Sequence, residues 1–326
     1  MNIVKKKFHI KGNKDVSNDK IFLKKSFFSN LRNNMRDLYD FIIRRLFFKF
    51  FYKNFFKEQN YHIDLVLPSK GFSEQSRRNK LNSISKIKNK KIICLGCGNG
   101  HDLLNWLKYK PKSIIGVDIL NYSKSWKKIQ NYLLRKKIKT KIKFIQKDIL
   151  KIKNTEKFDF IVSDAVFEHL TDFSKIIKKC YKLLKKNGVI YASYGPLWNC
   201  MGGDHFSARN NIQEGFNHLL LNKKNYQNFF KKNVKNINEE IKSHGSAGIF
   251  VKKKLFSKLN SNEYMKIYKN NNFKSELTVV EFCPDTFHLL KNNKKLSKKL
   301  LKVTKFKNLE NFYLKSQIIY LRKINF

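Results

Sequence analysis

An α/β fold on a doubly wound, mostly parallel sheet, with helices on both faces, is predicted by three observations. From residue 91 onward, short apolar runs alternate with amphipathic segments of helix length; glycines cluster directly after the first run; and acidic residues close the next three. Strands that alternate with helices need crossover connections, whose fixed hand makes the strands parallel.

Each element follows from local pattern. Residues 92–95 are too short and too apolar for anything but a buried strand, and a helix over 101–109 carries Leu103, Leu104 and Leu107 on one side. Residues 114–117 form the second strand, 122–137 the second helix, and 142–145 the third strand, with Asp148 just beyond it. The fourth strand covers 158–163. A helix over 173–186 places Ile176, Ile177, Cys180, Tyr181 and Leu184 at helical spacing, and 188–193 is the fifth strand. After Tyr194 the alternation stops until about residue 260, too long for an ordinary connection, so 195–260 reads as a functional insertion. A helix over 262–270, a strand over 276–282, helical segments within 286–307 and a strand over 317–322 complete the domain.

Ahead of this domain, residues 1–68 read as a basic, aromatic-rich helical extension and 69–90 as a polar linker. The stretch 27–56 mixes Phe, Tyr, Leu and Ile with Arg44, Arg45, Lys49, Lys53 and Lys57. Such a helix either lies in a membrane interface or packs on the catalytic domain as a lid, and both readings stand. Residues 1–14 have no apolar core, so a signal peptide is not expected, and no uncharged run reaches the length of a membrane span.

The net charge is +46, from 70 Lys and Arg against 24 Asp and Glu. Taken alone, this excess points to a polyanion such as RNA or an acidic membrane surface. Only nine of the 70 are Arg, the better bidentate phosphate ligand, and Lys, Asn, Ile and Phe are enriched together, as an AT-rich genome would produce. Five cysteines without framework spacing suit a reducing compartment, so a cytoplasmic protein is expected, with a peripheral position at the inner membrane surface if the basic helix binds lipid. Cys94 and Cys97 form a C-x-x-C with no second ligand pair, and no metal is assigned.

Lys91-Ile92-Ile93-Cys94-Leu95-Gly96-Cys97-Gly98-Asn99-Gly100, with Asp118 18 residues further on, describes a strand, a glycine bend, a helix and a second strand tipped by an acid. That arrangement binds a nucleotide-type cofactor at the carboxyl ends of the strands. The spacing is not that of a phosphate-cradling loop, since no Gly-Lys-Ser/Thr follows. Asp118 can accept ribose hydroxyls and Asp148 an exocyclic amine, while Ser163-Asp164 closes the fourth strand.

Together with Gly116-Val117-Asp118, Lys147-Asp148-Ile149, Phe158-Asp159-Phe160-Ile161-Val162-Ser163-Asp164-Ala165-Val166-Phe167-Glu168-His169-Leu170 and Leu183-Leu184-Lys185-Lys186-Asn187-Gly188-Val189, this segment resembles a class I S-adenosylmethionine-dependent methyltransferase over about residues 91–195. The resemblance implies a Rossmann-like sheet and S-adenosylmethionine as cofactor. It places Gly96, Cys97, Gly98, Asn99 and Gly100 around the methionine part, Asp118 and Ile119 at the ribose, Asp148 and Ile149 at the adenine, and Ser163, Asp164, Ala165 and Val166 toward the sulfonium. One position departs from the pattern: Cys94 stands where the family commonly has an acid two residues before the first glycine.

Methyl transfer from a sulfonium needs a positioned nucleophile and removal of its proton. His169 and His205 are the candidate bases, because imidazole titrates near neutrality. His169 also reads as a packing residue of the Glu168-His169-Leu170 turn, and Asp204 as a turn former. Neither an Asn/Asp-Pro-Pro-Tyr/Phe nor a Pro-Cys follows the fourth strand, which argues against amino methylation of adenine or glutamine and against pyrimidine-carbon methylation. The expected reaction is methylation of an oxygen, or less readily a nitrogen, of a glycan, lipid-linked or other small acceptor. RNA methylation and a non-catalytic cofactor-binding adaptor at a membrane surface are the alternatives.

Overall fold

The apolar runs become the strands of a single eight-stranded sheet. The computed structural model describes residues 35, 38, 63–68, 73–208, 211–233, 250–251 and 254–324. The strands are β1 (Leu65–Pro68), β2 (Lys91–Leu95), β3 (Ser113–Asp118), β4 (Lys141–Gln146), β5 (Phe158–Asp164), β6 (Leu184–Tyr194), β7 (Phe273–Phe282) and β8 (Leu314–Lys323). Their order across the sheet is β1-β7-β8-β6-β5-β2-β3-β4. All neighbours are parallel except β8, which runs antiparallel to both β6 and β7.

Side chains alternate between two cores, as the two-residue period of a strand dictates. Ile93, Leu95, Ile115, Val117, Ile161 and Ile190 face one core, where helix Phe173–Leu183 packs Ile176, Ile177, Cys180 and Leu183. Ile92, Cys94, Ile114, Phe160, Val162, Val189 and Tyr191 face the other, with Trp106 and Trp126. With both faces covered, the central strands read as unbroken apolar runs rather than alternating ones.

Two expectations are corrected. Residues 69–90 are not merely a linker: Glu74–Ile84 is a helix, begun by Ser73, whose hydroxyl accepts from the Ser76 amide at 3.1 Å, and held down by Leu81 and Ile84 in the second core. The end of the expected helical extension is a strand instead, since β1 pairs in parallel with β7 from Leu65 opposite Val279. The remainder of 1–62, including nearly all of the basic aromatic stretch, lies outside the described residues. Among the described residues no helix is long and apolar enough to cross a membrane.

The fifth strand is longer than expected, because β6 begins at Leu184, directly where the preceding helix ends. In the insertion, helices Asn217–Leu220 and Lys223–Asn233 are described, and Phe216 is buried edge-on against Phe312. The strand order reverses between β2 and β5: β3 and β4 lie on one side of that pair, β6 on the other. A crevice opens at such a switch point, outside the carboxyl ends of the strands.

Candidate functional site

At the crevice, β2 ends in a loop with three left-handed glycines, Gly96 at φ +66, Gly98 at φ +51 and Gly100 at φ +86. The amides of Gly96 and Cys97 both donate to the Val117 carbonyl, at 2.8 and 3.0 Å, which clamps the loop to β3. A Cβ on Gly96 would stand 2.3 Å from Val166 Cγ2, and one on Gly100 2.5 Å from the Phe144 ring. At Gly98 a Cβ would meet nothing within 4 Å. The loop is therefore packed on two sides and open at its middle. Cys97 is buried, with its thiol near Gly98 O, and Asn99 Oδ1 accepts from the His101 amide at 3.1 Å, starting helix His101–Leu104.

Asp118 closes β3 beside that opening. Its Oδ2 accepts from the Gly98 amide and its Oδ1 from the Leu120 amide, both at 2.8 Å. Burial raises its carboxyl above the usual range, and the amide bonds oppose that rise. Trp126 donates its indole N–H to Gly98 O at 2.8 Å and stacks on Phe144 at 5.3 Å, fixing the loop from the helix side. Ile119 is exposed. On the neighbouring strand, Asp118 pairs with Gln146, two residues before Asp148, so both acids stand at the same edge of the sheet. Asp148 caps the short turn Ile149–Lys151 through Oδ1 and the Leu150 amide at 2.9 Å, and Ile149 is buried.

Across the crevice, the four residues expected near the sulfonium divide in role. The Ser163 hydroxyl is committed to Leu95 O at 3.0 Å and ties β5 to β2. Ala165 is exposed at φ +56, and Val166 lies against Gly96. Asp164 Oδ1 accepts from the Tyr191 hydroxyl at 2.6 Å, and the two carboxylate oxygens lie 3.6 Å from Arg77 and Arg78. Arg78 is buried, its guanidinium 5.3 Å from the Trp106 ring centroid and in reach of Glu74 at 3.3 Å. Buried Cys94, in place of the usual acid, feels the charges of Asp164, Asp102 and Arg78. Sequence reasoning missed Arg77 and Arg78 because they lay in the supposed linker; Ser73-Glu74 followed by Leu81 and Ile84 was the legible sign of a capped helix there.

Beyond Val166, the chain makes a 3-10 turn, Phe167–His169, that buries Glu168 and His169. Their ligating atoms and that of His205, which comes from the loop after β6, lie within 4.8 Å of one another. No hydrogen bond of good geometry reaches either Glu168 oxygen, and burial pushes the carboxyl up to about 8, with the nearby Glu168 and Gly195 amides offsetting that rise only in part. His169 Nδ1 lies 2.9 Å from Leu255 O, and its ring stacks on Phe250 at 3.6 Å. Burial, with His205 close by, pushes His169 down to about 3, so the ring is neutral. Asp204 is a turn former, fully buried: it accepts from the Phe206 and Ser207 amides, the Ser207 hydroxyl and the Tyr226 hydroxyl, the last at 2.5 Å. Phe250 and Phe256 wall the two imidazoles, and Trp198 packs behind Phe256.

The sequence model of a methyltransferase domain family matches residues 86–313, the whole of this architecture from before β2 to the last helix. The chain belongs to that family. Its members here are class I S-adenosylmethionine-dependent methyltransferases, and S-adenosylmethionine is the cofactor. The chain is similar to the ubiquinone biosynthesis O-methyltransferase of Pelagibacter ubique, at 33% identity over 114 residues, covering 34% of this chain and 45% of that one. It is also similar to the tRNA U34 carboxymethyltransferase of Campylobacter fetus, at 29% identity over 116 residues, 35% of this chain and 39% of that protein. The chain thus spans less than half the length of these curated relatives. Among solved structures, Haemonchus contortus phosphoethanolamine N-methyltransferase 2 in complex with S-adenosyl-L-methionine is similar at 14% identity and a TM-score of 0.45, covering 78% of this chain and 53% of that one.

The methyltransferase site fits its cofactor on its own geometry. The unfilled space at Gly98 would let a ligand approach the backbone, and each Asp118 oxygen, accepting one amide at 2.8 Å, would keep a lone pair for a ribose hydroxyl. Arg77 and Arg78 bring positive charge to the end of the crevice where Cys94 leaves the usual acid missing, with Asp164 as the carboxylate nearest to hand.

Proposed function

We infer that this methyltransferase moves the sulfonium methyl of S-adenosylmethionine to a hydroxyl oxygen of a small, glycan or lipid-linked acceptor. The observation that carries the reading is the aromatic-walled Glu168, His169 and His205 group, which begins two residues after Val166, the side chain that packs on the glycine loop. Acceptor chemistry and cofactor cradle are thereby adjacent. The acceptor oxygen forms its bond to the methyl carbon as the carbon–sulfur bond breaks and sulfur keeps the electron pair. The hydroxyl proton must leave toward the Glu168, His169 and His205 side of the cleft. His169 is a poor base there: Leu255 O accepts its Nδ1 proton, and charging the bare Nε2 would create a buried imidazolium beside His205. It is a positioning residue, and His205, half-buried on a loop, is the other imidazole of the group.

The ubiquinone O-methyltransferase likeness supports an oxygen acceptor. A second reading, an RNA acceptor, is favoured by the exposed Lys136, Lys137 and Lys139, which lead into edge strand β4, with Lys141 and Lys143 on it, and by the tRNA-modifying relatives. Turnover of labelled S-adenosylmethionine against separate lipid, glycan and RNA pools tests both. Label in the lipid or glycan pool supports the first reading, and label in the RNA pool alone replaces it with the second. RNA binding that collapses between low and physiological salt without methylation marks polyelectrolyte attraction only. A cytoplasmic site of action, with peripheral contact to an acidic membrane if residues 1–60 bind lipid, belongs to the same proposal; liposome flotation of the full and shortened chains checks it.

A further inference from the structure

Glu168, His169 and His205 carry the donor set of a metal centre. They come from two separate segments, the turn after β5 and the loop after β6, yet their ligating atoms converge within 4.8 Å. Glu168 is 3% exposed, and neither of its oxygens receives a hydrogen bond of good geometry, the Glu168 and Gly195 amides being its nearest donors. A buried carboxylate so weakly paired is a group that a cation would satisfy. The Leu255 carbonyl accepts from His169 Nδ1, so that nitrogen carries the proton and Nε2 presents its lone pair. This is the outer hydrogen bond that a ligating histidine ordinarily makes to set its tautomer. Stacking on Phe250, with ring planes 20° apart, fixes the plane of the same imidazole. Bonds of about 2.1 Å hold ligand atoms at most about 4.2 Å apart, so closing on an ion draws the three together by well under an ångström to somewhat over one.

We propose that Glu168, His169 and His205 bind a first-row divalent cation of the zinc or manganese class, whose open positions take the acceptor's hydroxyl oxygen. Two imidazoles and one carboxylate select such an ion over calcium or magnesium, and three protein ligands leave room for substrate. The role of the open positions rests on the methyl-transfer reading of the cleft; the ion site itself does not. With the ion bound, the coordinated hydroxyl gives its proton to water, and the resulting alkoxide forms the bond to the methyl carbon while sulfur retains the carbon–sulfur pair.

The test uses full-length, tag-free protein stripped with chelator and titrated with ZnCl2 and MnCl2 by calorimetry, with S-adenosylmethionine titrated in parallel. One cation per chain is expected. E168Q, H169A and H205A should each weaken it at least tenfold while leaving S-adenosylmethionine affinity within about threefold. H205A, on a loop, keeps the test decisive if E168Q or H169A fails to fold. Wild-type protein that binds S-adenosylmethionine but no cation, or an H205A variant that binds the cation as tightly as wild type, overturns the proposal. Cation binding without S-adenosylmethionine binding would support the ion site and sink the cofactor reading instead.

Discussion

Replacing Gly98 and Gly96 by alanine separates cofactor binding from folding, because the two glycines share a backbone conformation and differ in what surrounds them. Both lie in the left-handed region, at φ +51 and +66, where an L side chain costs roughly 1–2 kcal/mol. Restricting the unfolded chain returns about 0.4–1 kcal/mol of that. At Gly98 nothing lies within 4 Å of the added carbon, so G98A should lose on the order of 1 kcal/mol of stability, a few degrees in Tm at most. The methyl would then project into the space assigned to the cofactor, and S-adenosylmethionine affinity should fall at least tenfold, about 1.4 kcal/mol. At Gly96 the added carbon meets Val166 Cγ2 at 2.3 Å and Cγ1 at 2.8 Å, and overpacking of this kind adds about 1–3 kcal/mol. G96A should therefore lose the larger share of stability. Calorimetric titration with the cofactor and thermal melts of both variants read the two quantities independently. A G98A protein that binds S-adenosylmethionine as the wild type does would refute the placement of the cofactor at this loop.

Three further outcomes are expected. D118N turns an amide donor toward the Gly98 or Leu120 N–H that the carboxylate now accepts, so stability should drop by about 1–3 kcal/mol and cofactor affinity by tenfold or more, read by the same titrations. R78M keeps much of the packing on Trp106 but removes the charge beside Asp164; S-adenosylmethionine should bind at least tenfold more weakly while 5′-methylthioadenosine, which lacks the amino-acid end, binds unchanged. Equal losses for both ligands would place Arg78 in the scaffold alone. Asp159 supplies the pH prediction. Burial works against its ionisation, but bonds to the Lys91 amide and to Lys185, each at 2.9 Å, with the Lys90 charge, hold its carboxyl below the usual range. A depressed folded-state carboxyl stabilises above its unfolded value, near about 3.9, and that contribution is lost as pH falls through the folded value. D159N should flatten the acid limb of the stability curve, measured by denaturant midpoints from neutral pH downward; an unchanged limb would show the contacts to be without weight.

What the sequence displayed of this fold was its local part. Strands β2, β3, β5 and the second half of β6 announced themselves because burial on both faces leaves apolar runs, edge strand β4 by its alternation of Lys with apolar residues, and glycines at 96, 98 and 100 mark a bend that other residues resist. Asp118 and Asp148 could be placed at strand tips for the same reason. The helix Glu74–Ile84 was hidden by its polar composition: Leu81 and Ile84 are its only apolar anchors, and eleven residues rich in Ser, Arg and Asn look like a linker until the sheet supplies something to pack on. Strand β1 is four residues long and has no meaning without β7 beside it.

Nearness in the chain determined the glycine loop, since strand, bend and acid-tipped strand are local patterns that any parallel sheet brings together at one edge. Tertiary structure alone decided the rest of the cleft. It delivered Arg78 to Asp164 from 86 positions away in the chain, spent the Ser163 hydroxyl on Leu95 O, and set His205 against Glu168 and His169 across the turn after β5. The physical reason is that charge pairing and ligand convergence depend on distance in space, which periodicity and composition do not encode.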